Sequence, residues 1–123
     1  MFSYEILEND GVIVLTITGQ TSVDDYQDVA PKFFADVKSL GIRRILLDGR
    51  DFQGWGSEEA PTVTFFSWLE SRPLFDRIAL VFHAGVRSEA DKFVEFFRNA
   101  DKEVRRFRPE QYEAALDWVK ADG

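Results

Sequence analysis

The chain has 123 residues, a formal net charge of −7 at pH 7, 45% hydrophobic residues and no cysteine. That length favours one domain, 1–123, with a core large enough to fold, and the apolar content excludes a disordered chain. The acidic balance argues against nucleic acid and against an anionic membrane surface, since both need a cationic footprint, and the missing thiols exclude disulfides and cysteine-bound metals.

The opening MFSYEILENDG has no basic start and no long apolar run, so it does not read as a secretory signal. No apolar stretch approaches the length of a membrane span. A cytoplasmic protein is the natural expectation. Phe2 to Leu7 reads as a strand, Asn9-Asp10-Gly11 as a turn joining antiparallel strands, and Val12 to Thr18 as a second strand ended by Gly19. Ser22 and Asp25 form a capping box with Asp in place of Glu. The helix behind them spaces Tyr26, Val29, Phe33, Val37 and Leu40 on one side, contains Pro31 and closes at Gly41.

Ile42 to Leu47 is the third strand, and its run Ile45-Leu46-Leu47 suits a strand covered on both faces. Asp48 ends it, as a turn residue bonding the Gly49-Arg50 backbone. A 48–57 loop follows, in which Gly54 and Gly56 flank Trp55 and leave it free to gate a pocket or plug the core. Next comes a helix loaded with Phe65, Phe66, Trp68 and Leu69. Arg77 to His83 is a fourth strand. Ser88 with Asp91 caps a third helix carrying Phe93, Phe96 and Phe97, and Glu103 to Phe107 is a fifth strand. Pro109 opens a last helix with Tyr112, Leu116 and Val119 on one stripe. The order β-β-α-β-α-β-α-β-α predicts an α/β fold: a mixed, mostly parallel five-stranded sheet flanked by four helices, with the opening hairpin as its antiparallel edge.

In this order of elements, the segments GVIVLTITGQTSVDDYQ, LLDGRDFQGW, FDRIALVF and VRRFRPEQYEAALDWV resemble the SpoIIAA-like family of the STAS superfamily of anti-sigma-factor antagonists, whose domains in turn resemble the Sec14 lipid-transfer fold. The resemblance implies a small soluble protein with a nonpolar-ligand site under mobile helices. STAS switch proteins carry an Asp-Ser-Ser-Gly signature after the third strand, with a phosphorylated serine. The matching stretch here is Gly56-Ser57-Glu58-Glu59, in which only Ser57 survives. Glu58 and Glu59 would repel a phosphate at that helix start, so a helix cap is the preferred role for Ser57.

No catalytic set is visible. His83 is the single histidine, without a metal-ligand neighbourhood or a nucleophile elbow. Gly54-Trp55-Gly56 lacks the third glycine of a dinucleotide fingerprint and there is no phosphate-loop lysine. The acid pairs at 24–25 and 58–59 sit where helix dipoles favour them. Arg43, Arg44, Arg105, Arg106 and Arg108 would form a basic patch if their strands met, and otherwise protect a sheet edge. The strongest functional signal is the aromatic arc, which is core, interface or pocket lining. The expectation is a non-enzymatic protein, without cofactor or metal, that carries or senses a nonpolar small molecule or lipid. Trp55, Phe65, Phe66, Trp68, Phe93, Phe96 and Phe97 would form the site. The alternative is an interaction module resembling an anti-sigma-factor antagonist, with a regulatory protein partner and Ser57 as switch. A twofold homodimer sharing the aromatic patch is a third reading.

Overall fold

The structure, a computed structural model, describes residues 1–56, 75–99 and 101–120. Five strands form one sheet in the spatial order of the chain: β1 (Phe2–Leu7), β2 (Val12–Thr21), β3 (Arg44–Trp55), β4 (Arg77–Phe82) and β5 (Glu103–Phe107). The β1–β2 hairpin is antiparallel, turning through Glu8–Asp10 and Gly11, and the three remaining pairings are parallel. Three α-helices are described: α1 (Val23–Leu40), α2 (Arg87–Asn99) and α3 (Tyr112–Lys120). The expected helix carrying Phe65, Phe66 and Trp68 lies outside the described residues.

The central strands are apolar on successive residues because both faces are covered. Ile45, Leu46, Leu47, Ile78, Ala79, Leu80 and Val81 are all 0% exposed. Ile13, Leu15 and Ile17 of β2, Ile45 and Leu47 of β3, and Ile78, Leu80 and Phe82 of β4 share one face with Phe33 and Val37 of α1 and Phe93 and Phe97 of α2. The opposite face, with Val12, Val14, Leu46, Ala79 and Val81, receives Ala115 and Val119 of α3. Leu40, placed by its spacing on the α1 stripe, is the last residue of the helix and stays 49% exposed.

The capping box at α1 is formed in both directions. Asp25 N–H donates to the Ser22 hydroxyl at 3.2 Å and Ser22 N–H donates to the Asp25 carboxylate at 3.1 Å. These bonds hold the Asp25 carboxyl below its ordinary range. The helix runs through Pro31 and ends at Gly41, whose φ of 64° is the left-handed cap that glycine adopts without strain.

Three local expectations are corrected. β2 does not end at Gly19 but continues to Thr21, with Gly19 absorbed at φ 63°. β3 does not end at Asp48; the segment expected as a 48–57 loop is strand as far as Trp55. Its pairing with β2 shifts between Thr16/Asp48 and Thr18/Asp51 and again between Gly19/Phe52 and Thr21/Trp55, so β3 accommodates extra residues as bulges, the second at Gly54 with φ 96°. Bulges place Gly and turn-like polar residues inside a strand, which is why this segment reads as a loop. Finally, Ser88 is not a cap. His83 caps a short 3₁₀ turn, Ala84–Val86, that leads directly into α2.

The arginines of β3 and β4 serve α3. Arg77, 8% exposed, donates to the Trp118 carbonyl at 2.8 Å, pairs with Glu103 at 3.1 Å and lies over the Trp118 ring. Arg44 donates to the Lys120 carbonyl at 2.7 Å. Both sit on the last carbonyls of the helix, where cations are favoured. Arg77→Met should therefore remove a charged cap from a buried helix end and lower the unfolding free energy by about 2 kcal/mol, read as a lower urea midpoint at unchanged slope.

On the other face, Tyr4 donates to the Asp36 carboxylate of α1 at 2.6 Å. Loss of solvent, then that bond, pushes its phenol up to about 12 from 10.0. The folded state thus favours the protonated phenol. This contribution is intact below pH 10 and is lost as pH rises toward 12. Urea unfolding across that window should show a loss of stability that is smaller in Tyr4→Phe.

Candidate functional site: a cleft at the carboxyl ends of β4 and β5

β4 and β5 are parallel neighbours, with Leu80 opposite Arg106 and Val81 opposite Phe107. Past their carboxyl ends the chain departs in two directions. After Phe82 it turns through Ala84–Val86 into α2, on the face of α1. After Phe107 it turns through Pro109–Gln111 into α3, on the opposite face. Divergent connections leave a crevice outside strand ends, the position where open α/β sheets bind ligands. Here it measures about 580 Å³, within the range of small-molecule sites.

Its floor is apolar, from Leu80, Phe82, Ala84, Phe107 and Pro109. Its rim is charged, from Arg87, Arg106, Arg108 and Glu110. Arg106 pairs with Asp91 of α2, and Arg108 meets Glu110 at 3.1 Å. Both pairs are solvent-exposed and hence weak. Arg87, exposed at the first position of α2, has no ion-pair partner among the described residues. The start of α3 is held by Gln111, whose side-chain carbonyl accepts from Arg108 N–H at 3.0 Å. Both helices start at the cleft, and the short turns before them take up their first backbone N–H groups: Arg87 N–H donates to the Ala84 carbonyl and Tyr112 N–H to the Pro109 carbonyl.

His83 stands at the mouth with both ring nitrogens engaged. Nδ1 accepts from Gly85 N–H at 3.1 Å, so it carries no proton, and Nε2 lies 2.5 Å from the Phe52 carbonyl, to which it donates. The ring ties the bulged part of β3 to the start of α2.

The aromatics expected to hold a nonpolar ligand divide. Phe93 and Phe97 are buried at 2% exposure, Phe93 stacked on Phe82 at 5.6 Å. Trp55, at the end of β3 and not on a free loop, meets Phe52 edge-on at 5.3 Å and tilts over Phe93 at 6.2 Å. Trp55 and Phe96 are half-buried against the same core. Phe65, Phe66, Trp68 and Ser57 lie outside the described residues. Asp48, 5% exposed, accepts from the Arg50 backbone and guanidinium at the first bulge, and that guanidinium lies 3.9 Å over the Tyr112 ring. The expected bond to Arg50 N–H is present, inside a strand instead of a turn.

The five arginines of the two strand segments, which would make one patch only if those strands met, do not come together. β4 separates β3 from β5, Arg43 pairs with Asp76 at 2.5 Å and Arg44 is bound to α3. Arg106 and Arg108 instead join Arg87, a residue without a distinguishing pattern of its own. Its place after a strand end and a short Ala-Gly-Val turn is the signal that would have found it. Among the described residues no helix is long and apolar enough to cross a membrane, and no three His, Asp or Glu side chains stand together as metal ligands.

The SpoIIAA-like family model matches residues 12–120. The chain belongs to the SpoIIAA-like family. The matched span contains every residue of the cleft. A solved structure of an uncharacterized protein of the DUF3478 family from Shewanella loihica PV-4, described as having a SpoIIAA-like fold, superposes with a TM-score of 0.75 over 97% of this chain and 92% of that one, at 22% identity. At that identity the likeness speaks for the SpoIIAA-like fold alone. No protein with a curated description matches the chain.

Proposed function

We propose that this SpoIIAA-like chain is a binding module without catalytic activity, which engages a regulatory protein partner through the cleft at the carboxyl ends of β4 and β5. The observation that carries the reading is the cationic rim of Arg87, Arg106 and Arg108 on a protein of net charge −7. Such local complementarity steers an acidic partner to one place on an otherwise repelling surface. The geometry also supports binding over chemistry: the one imidazole at the cleft is committed to two backbone groups, and Glu110 faces an arginine. A photo-crosslinker at position 84, in cells, should capture a discrete partner, while one at exposed Glu8 on the hairpin at the far end of β2 should not. Arg87→Glu with Arg108→Glu should abolish capture from position 84. Equal capture from both positions would sink the reading.

A second reading has its own observation. Trp55 and Phe96 remain half-buried beside an aromatic series of Phe52, Phe82 and Phe93, which would suit a nonpolar ligand or lipid held with Phe65, Phe66, Trp68 and Phe97. Native mass spectrometry of freshly purified protein should then show a lipid-sized mass that is released on unfolding and lost in Phe96→Ala. A clean unliganded protein would discard this reading.

A further inference from the structure

We infer that the cleft takes a phosphate monoester on an apolar or aromatic body, and that Arg87 is its principal recognition residue. The inference rests on the reading of the cleft as the binding site and names its ligand chemistry. Three arginines arrive from three separate elements: Arg87 opens α2, Arg106 lies in β5, and Arg108 precedes the turn into α3. Each guanidinium is a fork of donors matched to phosphate or carboxylate oxygens. Two helices begin at the same opening and bring the positive ends of two dipoles, although their first N–H groups are already bonded to the preceding turns. That donor supply exceeds what the two oxygens of one carboxylate use. A phosphate monoester offers three strong acceptor oxygens and a charge approaching −2 at pH 7.

The present pairings do not oppose this occupant. Asp91 and Glu110 hold Arg106 and Arg108 through solvent-exposed contacts with side chains 57% and 66% exposed. Such contacts are weak enough to be exchanged for a more highly charged acceptor. Among the described residues Glu110 is the one carboxylate lining the cleft, and it can turn outward from an exposed position. The volume and floor select the rest of the ligand. About 580 Å³ is far more than a bare phosphate occupies, and Phe82, Phe107, Leu80 and Pro109 give the cleft an apolar lining beside the arginines. An ester group that is aromatic or apolar would lie on that floor with its phosphate at the rim. The same chemistry is presented by a phosphorylated side chain of a partner and by a free organic phosphate.

The test uses the full chain, isotope-labelled, titrated with phenyl phosphate, inorganic phosphate and benzoate at matched ionic strength. Phenyl phosphate should move the backbone signals of residues 83–87 and 106–111, and bind more tightly than either control. Arg87→Gln should weaken it by about tenfold, and Arg108→Gln, at an independent and exposed position, should weaken it as well. A short phosphotyrosine peptide binding more tightly than phenyl phosphate would identify a partner's side chain as the source, and equal affinity would identify a free organic phosphate. Unmoved cleft signals, benzoate binding as well as phenyl phosphate, or unchanged affinity in both variants would overturn the inference. If phenyl phosphate fails while position 84 still captures a partner, the ligand chemistry is wrong and the partner reading stands. If it binds in the cleft and no partner is captured, the reverse holds.

Discussion

The structure depends on two-sided burial of three central parallel strands. β2, β3 and β4 carry apolar residues at successive positions, and Ile45, Leu46, Leu47, Ile78 and Leu80 have no exposed surface. Such strands are stable only with helices on both faces, and parallel neighbours can be joined only by crossovers. From that constraint follow α2 on one face, α3 on the other, and connections that part beyond β4 and β5. The cleft is therefore a product of the core: it opens where two covering layers pull the chain in opposite directions.

Charge is used in two different ways. Along β3 and β4 it completes the scaffold. Arg44 and Arg77 satisfy the last carbonyls of α3, Asp48 and Arg50 stabilise a bulge, and Arg43 and Lys102 share Asp76 between strand starts. These groups are bound by backbone or by neighbours and have little capacity left for an outside ligand. At the carboxyl ends of β4 and β5 the arginines are held only by exposed carboxylates or, for Arg87, by none among the described residues. An acidic protein that leaves a cationic rim at one crevice concentrates its attraction for anions there.

The aromatic content has a largely structural explanation within the described residues. Phe33, Phe52, Phe75, Phe93 and Phe97 are buried at 2% exposure or less, and their rings meet edge-on, tilted or, for Phe93 on Phe82, stacked. Trp55 joins this series because β3 runs on to it through two bulges. The aromatic surplus that stands out in the sequence is thus, for these residues, the filling between the sheet and α1 and α2, and the polar opening lies elsewhere.

Fold class, the capping box of Ser22 and Asp25, the Gly41 stop, the hairpin and the exact span Glu103–Phe107 were legible from the sequence, because each rests on local pattern: hydrophobic period, side-chain capping and left-handed glycine. Strand order was not, since nothing local says which strand pairs with which. The length of β3 was also hidden, because a bulged strand places polar and glycine residues where an unbroken ladder would not. Nor could the sequence separate Arg44 and Arg77, which serve α3, from Arg87, Arg106 and Arg108, which rim the cleft. Residue types and their spacing along the chain determined the elements. Only the tertiary structure decided which elements end side by side, because pairing and two-sided covering are contacts between residues far apart in sequence.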